Sequence, residues 1–297
     1  MTERARIIVI SGPTASGKTD LAVEVARRLG TEVVSADARQ FYRDIPIGTA
    51  RPAPEDLQGV PHHFLGHLEL DQDMSAAEFA HAALPVVKDV AQRCGTVVVA
   101  GGSGLYIDAL VFAFDALPPA DPKVRERLKR VREREGIGAL QQELARLDPV
   151  TWQRIDRNNP QRLVRAIEVC LSTGRPMSEQ LKGRRPRPGL DPVFFALDVP
   201  RATLYARIDA RVDRMLEQGL VEEARRVYPH RERNALRTVG YRELFLHFDG
   251  QMDLPTAVAL IKQHSRNYAK RQLSWLGRDA HWHWVPPDAD RVLEQLH

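Results

Sequence analysis

Apolar and polar positions along the 297-residue chain follow two periods in turn. RIIVI at 6–10, TEVVSAD at 31–37 and GTVVVAG at 95–101 are short runs rich in β-branched residues and bounded by turn residues, as buried strands are. After the first run, Leu21, Val25 and Leu29 recur at helical spacing until Gly30 ends the pattern. After the third, a glycine turn leads into a further helix ending near residue 113. Strand and helix in alternation predict a parallel α/β sheet flanked by helices, and such sheets bind ligands beyond the carboxyl ends of their strands.

The alternation stops at LPPADP (117–122), where charged helical segments take over until GRRPRPGLDP (183–192), a Pro/Gly/Arg stretch that reads as a boundary loop. VFFALDVP (193–200) then resembles a returning strand. The helix after it places Leu204, Ile208, Val212 and Leu216 on one face, PTAVALIKQHSRNYAKRQLSWLG (255–277) is a long helix, and HWHWV alternates like an edge strand. The expectation is an α/β P-loop core formed by 1–120 and 191–297, interrupted by an all-helical domain over 121–190. No internal repeat or low-complexity tract is visible.

Charge sharpens that division. The net value is only +4, yet residues 121–187 carry 17 Lys and Arg against 9 Asp and Glu, so the segment stands at +8 on a body of −4. A polyanion such as nucleic acid suits it, as does a solvated arginine-rich helical face. Two distant cysteines, Cys94 and Cys170, imply neither a disulfide framework nor a zinc site, and a reducing cytoplasm fits them. The amino-terminal apolar run is too short for a signal peptide, and no run has the roughly 18 apolar residues of a membrane span. A soluble protein with no membrane association is expected.

Chemistry concentrates at strand ends. Residues 12–19, Gly12, Pro13, Thr14, Ala15, Ser16, Gly17, Lys18 and Thr19, match the phosphate-binding pattern G-x-x-x-x-G-K-[ST], with a strand before and a helix after. Backbone N–H groups surround phosphate oxygens in such a loop, Lys18 adds charge, and the Thr19 hydroxyl is placed to hold magnesium. The pattern leaves open whether the phosphate belongs to ATP. Nucleotide-hydrolysing relatives usually end a second strand in Asp or Glu, whereas TVVVA here runs into Gly101, Gly102 and Ser103. EVVSAD supplies the available strand-end acid, Asp37, which suits a magnesium-organising acid, a general base or a helix cap. Ser103 can offer its hydroxyl to the same cleft or cap the next helix. A P-loop small-molecule kinase remains a competing class.

GPTASGKT, SADARQFY followed by IGTARP, PHHFL, AGGSGLY, NPQRLVRAIEV, RTVGYRE and YAKRQLSWL together resemble the tRNA dimethylallyltransferases, the tRNA isopentenyltransferases of the IPP transferase family, in that family's order over nearly the whole chain. The resemblance implies transfer of a five-carbon group from dimethylallyl diphosphate to the N6 amine of an adenine beside the anticodon of tRNA. The P-loop then holds an isoprenoid diphosphate, with Mg2+ as cofactor on Thr19. Asp37 corresponds to the acid that takes a proton from the adenine amine, Ser103 to a hydroxyl directed at the reacting centre, and Arg211, rather than its neighbour Arg207, to the arginine that meets the diphosphate.

For the tRNA anticodon stem-loop the resemblance implies contacts by Asp37, Ala38, Arg39, Gln40 and Ser103, by Arg125, and by Gln161, Arg162, Leu163, Val164 and Arg165. Arg237, Tyr241, Arg242, Lys270 and Arg271 supply phosphate contacts and stacking. A monomer follows as the family's default, and the cysteine usage keeps the expected location cytoplasmic. An isoprenyltransferase acting on free AMP or ADP is the near rival, though it has no need of a +8 insert. Departures are Ala38 where the family's Asp-Ser-x-Gln has serine, Ser103 where threonine is frequent, and Gly66 where aspartate is common. His62, His63 and His67 could suggest a metal cluster, although loop packing is the plainer reading.

Overall fold

The computed structural model describes residues 4–115 and 117–296. In chain order the elements are β1 (Ala5–Ser11), α1 (Lys18–Leu29), β2 (Val33–Ser35), β3 (His62–His63), α2 (Ala76–Cys94), β4 (Thr96–Gly101), α3 (Gly104–Val111), β5 (Phe112–Ala113), α4 (Pro122–Glu135), α5 (Ile137–Leu147), α6 (Pro149–Arg154), α7 (Pro160–Thr173), α8 (Met177–Gln180), β6 (Arg185–Pro186), β7 (Leu190–Leu197), α9 (Arg201–Glu217), α10 (Leu220–Val227), α11 (Tyr241–Phe248), α12 (Leu254–Leu276), β8 (Trp282–Val285) and α13 (Ala289–Glu294). Two compact units result, Met1–Val111 with Arg187–His297, and Phe112–Pro186.

The first unit is built on a six-stranded sheet in the order β3-β2-β4-β1-β7-β8, with every pairing parallel. Its centre, β1, places Ile7 to Ile10 at 1% exposure or less, because helices cover both faces and a strand so placed must be apolar on both sides. Leu21, Val25 and Ala26 of α1 pack with Ile8, Ile10, Val98 and Phe195 of the sheet and with Val292 of α13. On α9, Leu204, Ile208 and Val212 are buried as their spacing predicts. Met215, rather than Leu216, continues the buried face. Helix α2 is not announced by the pattern, since Pro85 lies inside it. Its start is secured by a capping box, in which the Ser75 hydroxyl accepts from Glu78 N–H and the Glu78 carboxylate accepts from Ser75 N–H.

The second unit begins and ends earlier than the change in charge suggests, because the antiparallel pair β5–β6 and the Asp115 carboxylate, which accepts from Lys182 and Gly183 N–H, tie its two ends together. Leu128, Leu140, Leu144, Leu163, Ala166 and Ile167 form its core. Asp121, Asp148 and Asn159 cap α4, α6 and α7. At the exit of the first unit, Arg187 N–H donates to Val111 O at 3.2 Å, and the Arg187 guanidinium donates to Leu110 O (2.9 Å) and Ala109 O (2.8 Å), closing the carboxyl end of α3.

Candidate functional site

The loop between β1 and α1 is folded around its own backbone. Gly17 (φ 92°) and Ala15 (φ 64°) are both left-handed, a conformation that costs a residue with a Cβ on the order of 1 kcal/mol and turns successive N–H groups toward one point. At Gly12 a Cβ would stand 2.7 Å from Ser16 Oγ and 3.0 Å from Leu197 Cβ, so the close return of the loop requires glycine. The amino end of α1 adds its free N–H groups. Burial lowers the Lys18 ammonium from its usual lysine value, with Asp37 opposing and Arg211 adding to the shift. Burial likewise lowers Arg211, against Asp37. Two cations and one carboxylate therefore share a sheltered space, leaving one positive charge uncompensated.

The carboxyl ends of β2 and β4 complete the floor. A Cβ on Gly101 would fall 2.2 Å from Ala36 O, so the two strand ends meet where only glycine fits. Around Gly102 converge Asp37 Oδ2 and Lys18 Cε, each 3.6 Å from where a Cβ would be. Asp37 Oδ1 accepts from Arg39 N–H (3.2 Å), which leaves Oδ2 to face the cavity chemistry. Ser103 Oγ accepts from Ala38 N–H at 3.0 Å, so its own proton is available to a ligand. β4 ends without a carboxylate.

Gln272, in the buried seam of α12 with Ala269 and Leu276, joins the two halves of this floor. Its Oε1 accepts from Thr14 N–H (2.8 Å), and its Nε2 donates to Gly102 O (3.0 Å). Gln272→Leu keeps the volume and strands one donor and one acceptor, each costing about 1–3 kcal/mol if left unpaired. We expect a 10- to 100-fold loss in pyrophosphate affinity, read by calorimetry, with the melting temperature as the control for global damage.

Asp37, Ser103 and the phosphate loop open into a cavity of about 420 Å³. Ile208, Val212, Met215 and Ile261 make one wall apolar, while Arg39, Arg237, Arg242 and Arg271 make its mouth basic. Tyr268 also lines it, and burial, with Asp37 adding, raises its hydroxyl to about 12. Arg211 faces this cavity. Arg207 lies with Arg214 in a separate recess beside Ala15 and Gly17. Lys270 lies over the Tyr205 ring instead. Tyr241 is wholly buried, its hydroxyl donating to Glu223, so it offers RNA no stacking face.

In the helical unit Arg125 and Arg165 both donate to the buried carboxylate of Glu168, and Leu163 sits in the core. Gln161 and Arg162 are exposed, and Val164 is half-buried. Sequence reasoning singled out neither Gln272 nor Glu223. The available signal was a polar residue on an otherwise apolar helical seam.

Thr19 borders a small recess together with Lys18, Ser35, Asp37 and Gln40. Among the described residues no group of three or more His, Cys, Asp or Glu could hold a metal. The three histidines separate accordingly: His62 contacts Val60 O, His63 pairs with Glu32, and His67 packs between Phe41 and Phe64. Cys94 and Cys170 are free thiols, and no described helix is long and apolar enough to cross a membrane.

A family model described as IPP transferase matches residues 40–279. The chain is 43% identical over 282 residues to a tRNA dimethylallyltransferase of Christiangramia forsetii, covering 95% of this chain and 93% of the relative. It is 44% identical over 281 residues to one from Cytophaga hutchinsonii, covering 95% and 92%. Among solved structures, the full-length tRNA isopentenylpyrophosphate transferase of Bacillus halodurans superimposes with a TM-score of 0.71 at 34% identity, over 99% of this chain and 95% of that one.

Proposed function

The chain belongs to the IPP transferase family, and from that premise we propose that it moves the dimethylallyl group of dimethylallyl diphosphate onto the N6 amine of the adenine beside the anticodon of tRNA, releasing diphosphate. It is an enzyme of tRNA modification, a prenyltransferase. The observation that carries the donor assignment is the uncompensated positive charge set by Lys18, Arg211 and Asp37 beside the phosphate loop, next to an apolar wall of Ile208, Val212, Met215 and Ile261. A kinase or ATPase reading lacks the strand-end acid on β4.

The chemistry breaks the bond from the allylic carbon to the diphosphate oxygen and forms one from that carbon to the adenine nitrogen, with the amine proton passing to a base. The loop N–H groups, Lys18 and Arg211 stabilise the departing diphosphate. Asp37 Oδ2 receives the proton, and the Ser103 hydroxyl donates to the bound base. The Thr19 hydroxyl, bordering the recess beside Lys18 and Asp37, is a hard oxygen donor suited to magnesium, which prefers few protein ligands with water and phosphate oxygens completing its shell. Magnesium bound there would supply further charge neutralisation for the diphosphate.

A base in an anticodon loop must leave its stack to enter such a cavity. Arg39, Arg237, Arg242 and Arg271 at the mouth suit the phosphates that flank it, and the basic helical unit suits the stem. We place the enzyme in the cytoplasm as a monomer. The test is label transfer from dimethylallyl diphosphate to an anticodon stem-loop, run in parallel with AMP and with ATP plus small-molecule acceptors. Transfer to the stem-loop alone is expected, and transfer to AMP or phosphorylation of an acceptor overturns the reading.

A further inference from the structure

We propose that Glu223 is a positioning residue for the target base, acting through the 47–50 loop on the amide of Gln40; this rests on the tRNA prenylation reading above. Glu223, on α10, is 1% exposed and forms no ion pair with Lys, Arg or His among the described residues. Three donors satisfy its carboxylate instead. Oε2 accepts from Ile47 N–H (2.9 Å), while Oε1 accepts from Gly48 N–H (2.8 Å) and from the Tyr241 hydroxyl (2.5 Å). A buried carboxylate held only by neutral donors is costly unless all of them stay in place, so the three groups are fixed together.

The contact is closed sterically as well. A Cβ on Gly48 would fall 2.3 Å from the Tyr241 hydroxyl oxygen, so the loop lies flat on the ring and only glycine allows it. Tyr241 is buried, and that burial, with the adjacent Glu223 carboxylate adding, raises its hydroxyl far above the usual tyrosine value, so it remains a donor at every working pH. The loop then turns through Ala50, whose φ is 46°, and presents the Thr49 and Ala50 carbonyls to the Gln40 Nε2, at 3.4 and 2.9 Å.

Those carbonyls decide how Gln40 is read. An amide flipped by 180° would set Oε1 against two carbonyl oxygens, so Nε2 is committed to the loop and Oε1 is presented as an acceptor. Gln40 borders the recess shared by Lys18, Thr19 and Asp37, and Gly48 and Thr49 line the cavity that Asp37 and Ser103 face. Glu223 thus fixes, from the far side of the loop, an acceptor beside the proton-accepting carboxylate.

A double-mutant cycle of Glu223→Gln and Gln40→Ala tests this, scored by KM for the anticodon stem-loop, kcat, pyrophosphate affinity and melting temperature. An amide cannot accept from all three donors, so Glu223→Gln releases the loop while conserving shape. The expected result is a roughly tenfold higher KM for the stem-loop, unchanged pyrophosphate affinity, and no further loss when Glu223→Gln is added to Gln40→Ala. Independent, additive losses overturn the proposal, as does an equal loss of pyrophosphate affinity, which marks a merely structural carboxylate. Should Glu223→Gln fail to fold, Tyr241→Phe, which removes one donor and keeps the ring, enters the same cycle. It should give a smaller loss in the same direction, and additivity there overturns the proposal too. Wild-type label transfer to the stem-loop is measured alongside: its absence refutes the prenylation reading, whereas its presence with additive losses refutes only the role of Glu223.

Discussion

Asp37→Asn is expected to lower kcat by about 10²- to 10⁴-fold, the range that positioned proton transfer contributes, while pyrophosphate binds at least as tightly as to the wild type. The two effects part because the carboxylate has two neighbours with opposite demands. Asparagine conserves an oxygen for Arg39 N–H and the shape of the turn. It cannot take a proton from an adenine amine. It also removes the negative charge that Asp37 places beside Lys18 and Arg211, so the cationic pocket becomes a stronger anion site. Single-turnover transfer and calorimetric titration with pyrophosphate measure the two quantities separately. A parallel loss of both would remove Asp37 from the role of base and make it a structural member of the floor.

Lys18→Met carries the second large effect, a loss of about 10²- to 10³-fold in kcat/KM for the prenyl donor, comparable with deleting one donor from a preorganised anion site. It has a pH signature as well. Burial sets the Lys18 pKa below the ordinary lysine value of 10.5, so the free enzyme loses this proton earlier than an exposed lysine would. Pyrophosphate affinity should therefore fall as pH rises through that lowered value, and binding should take up a proton there.

The sign for folding is opposite. Between the lowered value and 10.5 the unfolded chain holds more protons than the folded one, so the free enzyme gains stability as pH rises across that window. Below it, the buried ammonium carries its full desolvation cost. Lys18→Met should flatten the alkaline limb of both profiles, and Arg211, protonated throughout, should not replace it. A profile unchanged by the substitution would separate Lys18 from the diphosphate.

The parts of the site visible in the sequence are those whose geometry is local. Gly12 to Thr19 specify a strand, a left-handed turn and a helix start within eight residues, and Asp37 and Ser103 follow strands whose apolar runs mark where they end. Arg207 and Arg211 share one helical face of α9, so the resemblance alone chooses Arg211, and the structure separates the two by placing Arg211 on the cavity and Arg207 in a different recess. What the sequence conceals is which distant partner claims a polar side chain. Tyr241 after Gly240 reads as an aromatic offered to solvent, but the carboxylate that captures it belongs to α10 and acts on a loop near residue 48. Arg125 and Arg165 read as surface cations until Glu168, buried between them, is found to hold both. The fold follows the same division: strands β1, β4 and β7 are plain in the pattern, whereas β3, two histidines long, exists only because β2 is there to pair with it.

The Arg187 N–H on Val111 O makes the departure and return of the chain immediate neighbours, so to the α/β unit everything from 112 to 186 is a single long surface loop. The entropy of closing such a loop grows only logarithmically, about 0.6 kcal/mol for each doubling in length. The stability of the catalytic scaffold is thereby nearly indifferent to what is strung between those two residues. A helical attachment at this seam can lengthen, shrink or be exchanged in the course of descent without the phosphate-loop pocket having to be rebuilt.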